Sequence, residues 1–253
     1  MSREEYNSIP AINQSLLKKW KTHGLGRCPK AFQYELDNPS DNDNLKLGRA
    51  IDIYCIEGRE AFVNKVVVFD GTRRGKEWEA FKLANAGKEI IKPAELDSIL
   101  GMAKALKEAD DEGAYGRCYK AVFVSELCGH HVKGEIDLYS PGSRIIRDQK
   151  KTRDCTPEAF GKQAYELGYH IQGAFYLDAL VALGEPVEQF TWITVEEEEP
   201  NLVAKYFAMI DSPEIVAGRL EYESLIRSYT AWDKKPTGMG EIKHIQFPKW
   251  VKL

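Results

Sequence analysis

The run GEIDLYSPGSRIIRDQKKT, from Gly134 to Thr152, holds two aspartates and a lysine at spacings that can do chemistry. Apolar and polar residues alternate on both sides of Ser140-Pro141-Gly142-Ser143, which predicts two antiparallel strands joined by a tight turn, with Pro and Gly suiting the central positions of type II geometry. A turn centred between Pro141 and Gly142 sets Asp148 opposite Glu135 and Asp137 opposite Ile146. The two-residue period then gathers Asp137, Asp148 and Lys150 on one face and leaves Gly134, Ile136, Leu138 and Ile145 for the other. Oxygen ligands from two aspartates suit a hard divalent cation, and an ammonium beside them suits cleavage of a phosphodiester. The same alternation also describes a sheet face that simply meets water.

The elements around this hairpin follow from hydrophobic periodicity. Residues 11 to 36 read as helix, interruption, helix, with Leu16, Leu17 and Trp20 on one face and Ala31, Phe32, Tyr34 and Leu36 after Cys28-Pro29. Leu47 to Gly58 is a helix whose buried stripe (Leu47, Ile51, Tyr54, Cys55) leaves Asp52 on the side of Gly48. Val66 to Phe69 is a short strand. The following GTRRGKEWEAFK places Arg73, Arg74 and Lys76 beside Trp78, either as a solvated charge cluster or as a grip on phosphates without base specificity. A helix begins at Pro93, and Lys120 to Leu127 alternates as a strand that carries Glu126 near its end. His130 and His131, as strand neighbours, point to opposite faces and cannot serve one site.

Beyond the hairpin, Thr156 to Tyr165 and Gly168 to Leu183 read as helices. The second sets Tyr169, Gln172 and Tyr176 in one stripe beside an apolar one from Ile171, Phe175 and Ala179. Strands at Phe190 to Val195 and Val203 to Ile210 precede a long amphipathic helix, Pro213 to Trp232, and a tail expected to pack through Phe247 and Trp250.

The 253 residues suffice for one α/β domain, and 43% hydrophobic with 29% charged content is ordinary for a globular chain. No apolar run approaches the roughly 20 residues of a membrane helix, and the polar N-terminus does not read as a signal peptide. Five cysteines without a C-x-x-C pair argue against a disulfide framework or zinc site and for a reducing cytoplasm. A net charge of −4 excludes a generally basic nucleic-acid binder but not a local basic patch, and the absence of a G-x-x-x-x-G-K-[ST] run argues against nucleotide hydrolysis.

The pattern G-x-x-D at Gly134 to Asp137, then I-I-x-D-x-K at Ile145 to Lys150 with Thr152 after it, resembles the PD-(D/E)xK nuclease core. The likeness is to the RecB-like branch, which includes RecE-type phage exonucleases. YHIQGAFYLDAL, Tyr169 to Leu180, resembles the Q-x-x-x-Y helix of that branch; LGRAIDIYCIEG, Leu47 to Gly58, resembles its first motif. NQSLLK with CPKAFQYEL, between Asn13 and Leu36, resembles its N-terminal segment, and IQFPKWV its tail. The resemblance runs through nearly the whole chain in order. It does not extend to the iron–sulfur cluster of some members, since no cysteine follows Cys155.

The resemblance implies an α/β restriction-endonuclease-like core, a mixed sheet flanked by helices with N-terminal helical additions. Its layout is a helical lead-in over about 1–115, a catalytic core over about 116–210 and a C-terminal helix and tail over about 211–253. It implies Mg²⁺, with Mn²⁺ able to substitute, held by Asp137, Asp148 and the backbone carbonyl of Gln149. Asp52 and Glu126 are further ligand candidates, although the family usually has histidine where Asp52 stands. Lys150 would position or deprotonate the attacking water, Gln172 and Tyr176 would lie over the catalytic strand, and Arg73, Arg74 and Lys76 would contact DNA. The implied substrate is an end of double-stranded DNA, digested 5′ to 3′ in the cytoplasm to leave a single strand for an annealing protein in recombination, with a homo-oligomer as an open option. Two other readings stand beside it: a catalytically silent DNA-binding recombination scaffold, and an endonuclease with the same core.

Overall fold

The computed structural model describes residues 3–39 and 43–239; the expected packing of Phe247 and Trp250 lies outside them. The chain opens with helices α1 (Arg3–Ser8) and α2 (Gln14–Lys19), the second capped by Asn13, whose side chain accepts the Leu16 N–H at 2.8 Å. A π-helical turn, Trp20–Leu25, leads into α3 (Pro29–Asp37), which starts on the proline as a helix prefers. Helix α4 (Asp43–Asp52) runs straight into a second π-helical turn, Ile53–Glu57, and α5 (Arg59–Lys65) follows. Strands β1 (Val66–Val68) and β2 (Glu89–Ile91) pair in parallel around α6 (Gly75–Ala84), and α7 (Pro93–Glu108) and α8 (Ala114–Arg117) complete this region.

The main sheet takes its strands in chain order: β3 (Tyr119–Leu127), β4 (His130–Tyr139), β5 (Ile145–Thr152), β6 (Gln189–Glu196) and β7 (Val203–Met209). It is mixed, as expected. β5 and β6 are parallel, because α9 (Pro157–Glu166) and α10 (Tyr169–Ala182) carry the chain back between them, while the other neighbours are antiparallel. Helix α11 (Pro213–Ala231) closes the described chain.

Apolar residues fill both sides of this sheet. One cluster joins Phe175 of α10 and Phe190 of β6 to Phe32 and to Ile226 of α11; the other joins Ile51 of α4 and Met102 of α7 to Leu138, Ile193 and Val195. Lys133, buried on β4, gives its ammonium to the carbonyls of Tyr6 at 2.7 Å and Ile9 at 2.9 Å, which ties α1 to the sheet. Among the described residues no helix is long and apolar enough to cross a membrane.

The hairpin turn has the expected centre: the Ser143 N–H reaches the Ser140 carbonyl at 2.9 Å, and Gly142 takes the positive φ of 76° that type II requires. Its register differs. Leu138 pairs with Arg147, so Asp137 stands opposite Asp148 rather than Ile146. The cause lies just after the turn. The Ser143 hydroxyl takes the Ile145 N–H at 3.1 Å, and the Arg144 carbonyl is turned to the Glu188 and Gln189 amides, so these residues stay out of the β4 ladder. A displacement of two residues preserves which face each side chain takes.

A second correction comes from the β3–β4 ladder, where Ala121 pairs with Ile136 but Tyr119 pairs with Tyr139, so β4 holds one extra residue. This bulge reverses the alternation, and Leu138 packs in the α4 cluster while Ile136 packs in the α10 cluster, against the expectation of one shared apolar face. The ladder also corrects Glu126. It pairs with His131, six residues along β4 from Asp137, which is about 20 Å at strand rise, and it is exposed. Glu126 is too far away to share a cation with Asp137.

Candidate active site

Strand β5 is the ridge on which the site is built. On its α10 side, Asp148 is buried, and its Oδ1 accepts the Gln172 Nε2 hydrogen bond at 2.7 Å. Its Oδ2 lies against the Lys150 ammonium as an ion pair. Burial opposes the charge on Lys150, but Asp148 and then Asp137 outweigh it and raise the lysine above its ordinary value. The Lys150 ammonium also sits 5.0 Å from the centre of the Tyr169 ring. Tyr176 reaches this region over Gly134, where a Cβ would fall 2.4 Å from Phe123 Cε1 and 3.0 Å from Tyr176 Cε1, so glycine is what admits the ring. Burial, then the charge on Asp148, raises the Tyr176 hydroxyl and keeps it protonated.

Between β4 and β5 the strands part, and side chains replace ladder bonds. The Gln149 N–H donates to Asp137 Oδ2 at 3.1 Å instead of to a β4 carbonyl. The Gln149 side chain points to the α4 side, where its Nε2 donates to Asp52 Oδ1 at 2.8 Å and its Oε1 accepts from the Tyr115 hydroxyl at 2.7 Å. Burial, then Asp148, pushes Asp137 up to about 7; burial, then Asp137, pushes Asp52 well above the carboxylate range. Two clefts meet at Asp52 and Arg49. One, of about 820 Å³, is lined by Glu57, Lys120, Glu135 and Asp137; the other, of about 750 Å³, by Lys150, Lys151, Arg153 and Tyr169.

The residues expected from sequence therefore divide. Asp137, Asp148, Lys150, Gln172 and Tyr176 come together, and Asp52 joins them from α4. The basic cluster does not hold as a unit. Arg73 is spent inside the fold, its guanidinium on both Glu95 oxygens at 3.2 and 2.6 Å and on the Ile90 carbonyl at 3.1 Å, while Glu95 also takes the Lys92 N–H at the start of α7. Arg73 is thus a structural ion pair, and only Arg74 and Lys76 stand exposed.

Sequence reasoning missed three side chains. Gln149 counted only for its carbonyl, Tyr115 carried no motif at all, and Lys18 lay unremarked within NQSLLK. The Lys18 ammonium lies 6.0 Å from the Tyr169 ring, which Lys150 also approaches, and burial followed by repulsion from Lys150 lowers its affinity for a proton.

Among the described residues no group of three His, Cys, Asp or Glu side chains is placed to hold a metal ion by itself. The donor set nevertheless fits a hard cation that keeps part of its water shell, since such an ion needs one or two carboxylates and not a full cage. Asp148 Oδ2 is a buried anionic oxygen paired with the Lys150 ammonium, and burial together with the neighbouring carboxylates drives Asp137 and Asp52 toward protonation although Lys150 and Lys120 act against it, a balance that a bound cation would relieve.

The family profile described as PDDEXK-like domain of unknown function (DUF3799) matches residues 13–245. Among solved structures, a candidate exonuclease from Eubacterium rectale superposes with a TM-score of 0.59 at 15% identity, covering 91% of this chain and 86% of that one. A phage related exonuclease from Haemophilus somnus 129PT matches at 15% identity and a TM-score of 0.37, over 88% of this chain and 96% of the other. The first likeness bears on fold alone, and the second is too loose to carry argument. None of the curated proteins matches the chain.

Proposed function

The chain belongs to this PDDEXK-like family, and from that premise we propose that it is a Mg²⁺-dependent exonuclease degrading linear double-stranded DNA from its ends, 5′ to 3′. The observation that carries the reading is Asp148, with one oxygen fixed by Gln172 and the other paired with the Lys150 ammonium, directly across the strands from Asp137. Asp137, Asp148 and the Gln149 carbonyl would hold the ion, with Asp52 as a further ligand. A divalent ion bound there supplies a Lewis acid that lowers the pKa of water and offsets charge gathering on the phosphate.

The chain's own groups divide the remaining work. Lys150, held charged by its aspartate neighbours, orients the water and faces the phosphate as a positive charge. Gln172 keeps Asp148 in one orientation through its amide. Lys18 brings a second ammonium to the Tyr169 side and makes no ion pair among the described residues, so it suits a phosphate oxygen of the strand. Arg74 and Lys76 are free to grip more distant phosphates.

The end-directed mode, the polarity, and delivery of a single strand to an annealing protein rest on the RecE-type order of motifs. The test compares equal masses of supercoiled plasmid and the same plasmid cut once, incubated with Mg²⁺ while nucleotide release is followed. Release from the linear form alone is expected. Comparable release from both would make the enzyme an endonuclease, and no release from either, with DNA still bound, would make the protein a silent scaffold.

A further inference from the structure

We propose that Gln149, the middle residue of the Asp148-Gln149-Lys150 motif, is a positioning residue that holds Asp52 in the metal site, with Tyr115 fixing its orientation. The role rests on the nuclease reading only for the identity of what the site binds. Strand alternation sends Gln149 to the opposite face from Asp148 and Lys150, into the cluster of Leu138, Ile193 and Val195, where an aliphatic side chain would be ordinary. A buried amide there is costly unless both of its ends are bonded. Gln149 is 4% exposed, and both ends are bonded: Oε1 to the Tyr115 hydroxyl and Nε2 to Asp52 Oδ1.

The donor and acceptor types close on one another. Ionised, as a metal ligand would be, Asp52 can only accept, which suits the nitrogen end of the amide, and the amide oxygen then needs a donor, which the Tyr115 hydroxyl supplies. Asp52 needs such a hold because it ends α4, where the winding passes from α to π and no strand ladder fixes it. The Gln149 backbone N–H meanwhile holds Asp137. One residue thereby sets two carboxylates that arrive from different elements. The arrangement also accommodates an imidazole at position 52, because the amide can flip while the phenol turns from donor to acceptor.

The test is a double-mutant cycle read by Mn²⁺ binding to the metal-free full chain, followed through the EPR signal of free Mn²⁺. Gln149→Met and Asp52→Asn should each weaken Mn²⁺ binding about tenfold, and the double variant should be no worse than the weaker-binding single. Tyr115→Phe should weaken binding a few-fold, and it carries the test if Gln149→Met does not fold. Unchanged affinity in Gln149→Met, losses that multiply in the double variant, or a wild-type chain that binds no Mn²⁺ would overturn the proposal. DNA hydrolysis by the same proteins separates the two readings. Mn²⁺ binding with a coupled cycle but no cleavage removes the nuclease and leaves the positioning role, whereas cleavage with multiplying losses does the reverse.

Discussion

Strand β5 makes one amide–carboxylate bond to each helical layer, and the two run in opposite directions. On the α10 side the helix brings the amide, Gln172, and the strand the carboxylate, Asp148; on the α4 side the strand brings the amide, Gln149, and the helix the carboxylate, Asp52. A carboxylate on β5 inherits its position from a ladder that pairs every residue of the strand with β6. A carboxylate at the end of α4 has no such backing and depends on a side-chain bond. The α10 side therefore tunes a carboxylate already in place, while the α4 side must hold its carboxylate there.

The largest effect should come from the strand itself. Asp148→Asn and Lys150→Ala are expected to lower the rate of nucleotide release on the order of 10³-fold with melting temperature retained, and near wild-type turnover in Lys150→Ala would take the chemistry away from β5 altogether. Next come the two amides. Gln172→Met and Gln149→Met should each cost roughly 10- to 100-fold in activity at low metal, but raising Mg²⁺ should restore only Gln149→Met. Equal rescue of both would mean that the two sides do the same work.

A third measurement separates charge committed to the fold on the α4 side from charge left free. Arg73→Ala should cost about 1–3 kcal/mol of stability, because it strands Glu95, and leave the affinity for DNA ends unchanged. The pair Arg74→Ala and Lys76→Ala should leave melting alone and reduce the salt slope of binding by about 1 for each phosphate no longer neutralised. Weakened DNA affinity with intact stability in Arg73→Ala would restore it to the DNA surface.

The smallest effect is a pH dependence. Asp137 has a folded value of about 7 against an ordinary 3.8, so the folded chain holds the extra proton between these values. The stability this gives is complete below the lower value and lost as pH rises through the upper one. Asp137→Asn should therefore melt with wild type near the lower value and several degrees above it at alkaline pH in metal-free buffer. Added Mg²⁺ should erase the gap, and a gap that widens toward acid would contradict the rise that burial and then Asp148 give Asp137.

The hairpin was legible because a proline–glycine turn and a two-residue period are local signals, and Asp137, Asp148 and Lys150 gather as that pattern expects. Its pairing partners were not, because Ser143 and Arg144 leave the ladder for reasons that lie in their own loop and in β6. Gln172 and Tyr176 were legible through a motif, as was Asp52 through the stripe it avoids. Arg73 misled because its partner, Glu95, lies beyond β2, and nothing local distinguishes a guanidinium that will be half-buried in an ion pair from its exposed neighbour. Tyr115 and the side chain of Gln149 were invisible for the same reason, since each acquires its meaning only when α4, α8 and β5 meet.

The parting of β4 from β5 leaves the Gln149 N–H to Asp137, and that bond belongs to the main chain. Nearly every amino acid would present the same amide there, and only proline would delete it. The donor of this bond is therefore shielded from point mutation, whereas bonds made by side chains at both ends are open to drift. Position 52 is where such drift would surface first, and a partner amide able to present either end could bond a carboxylate or an imidazole there without rebuilding the strand.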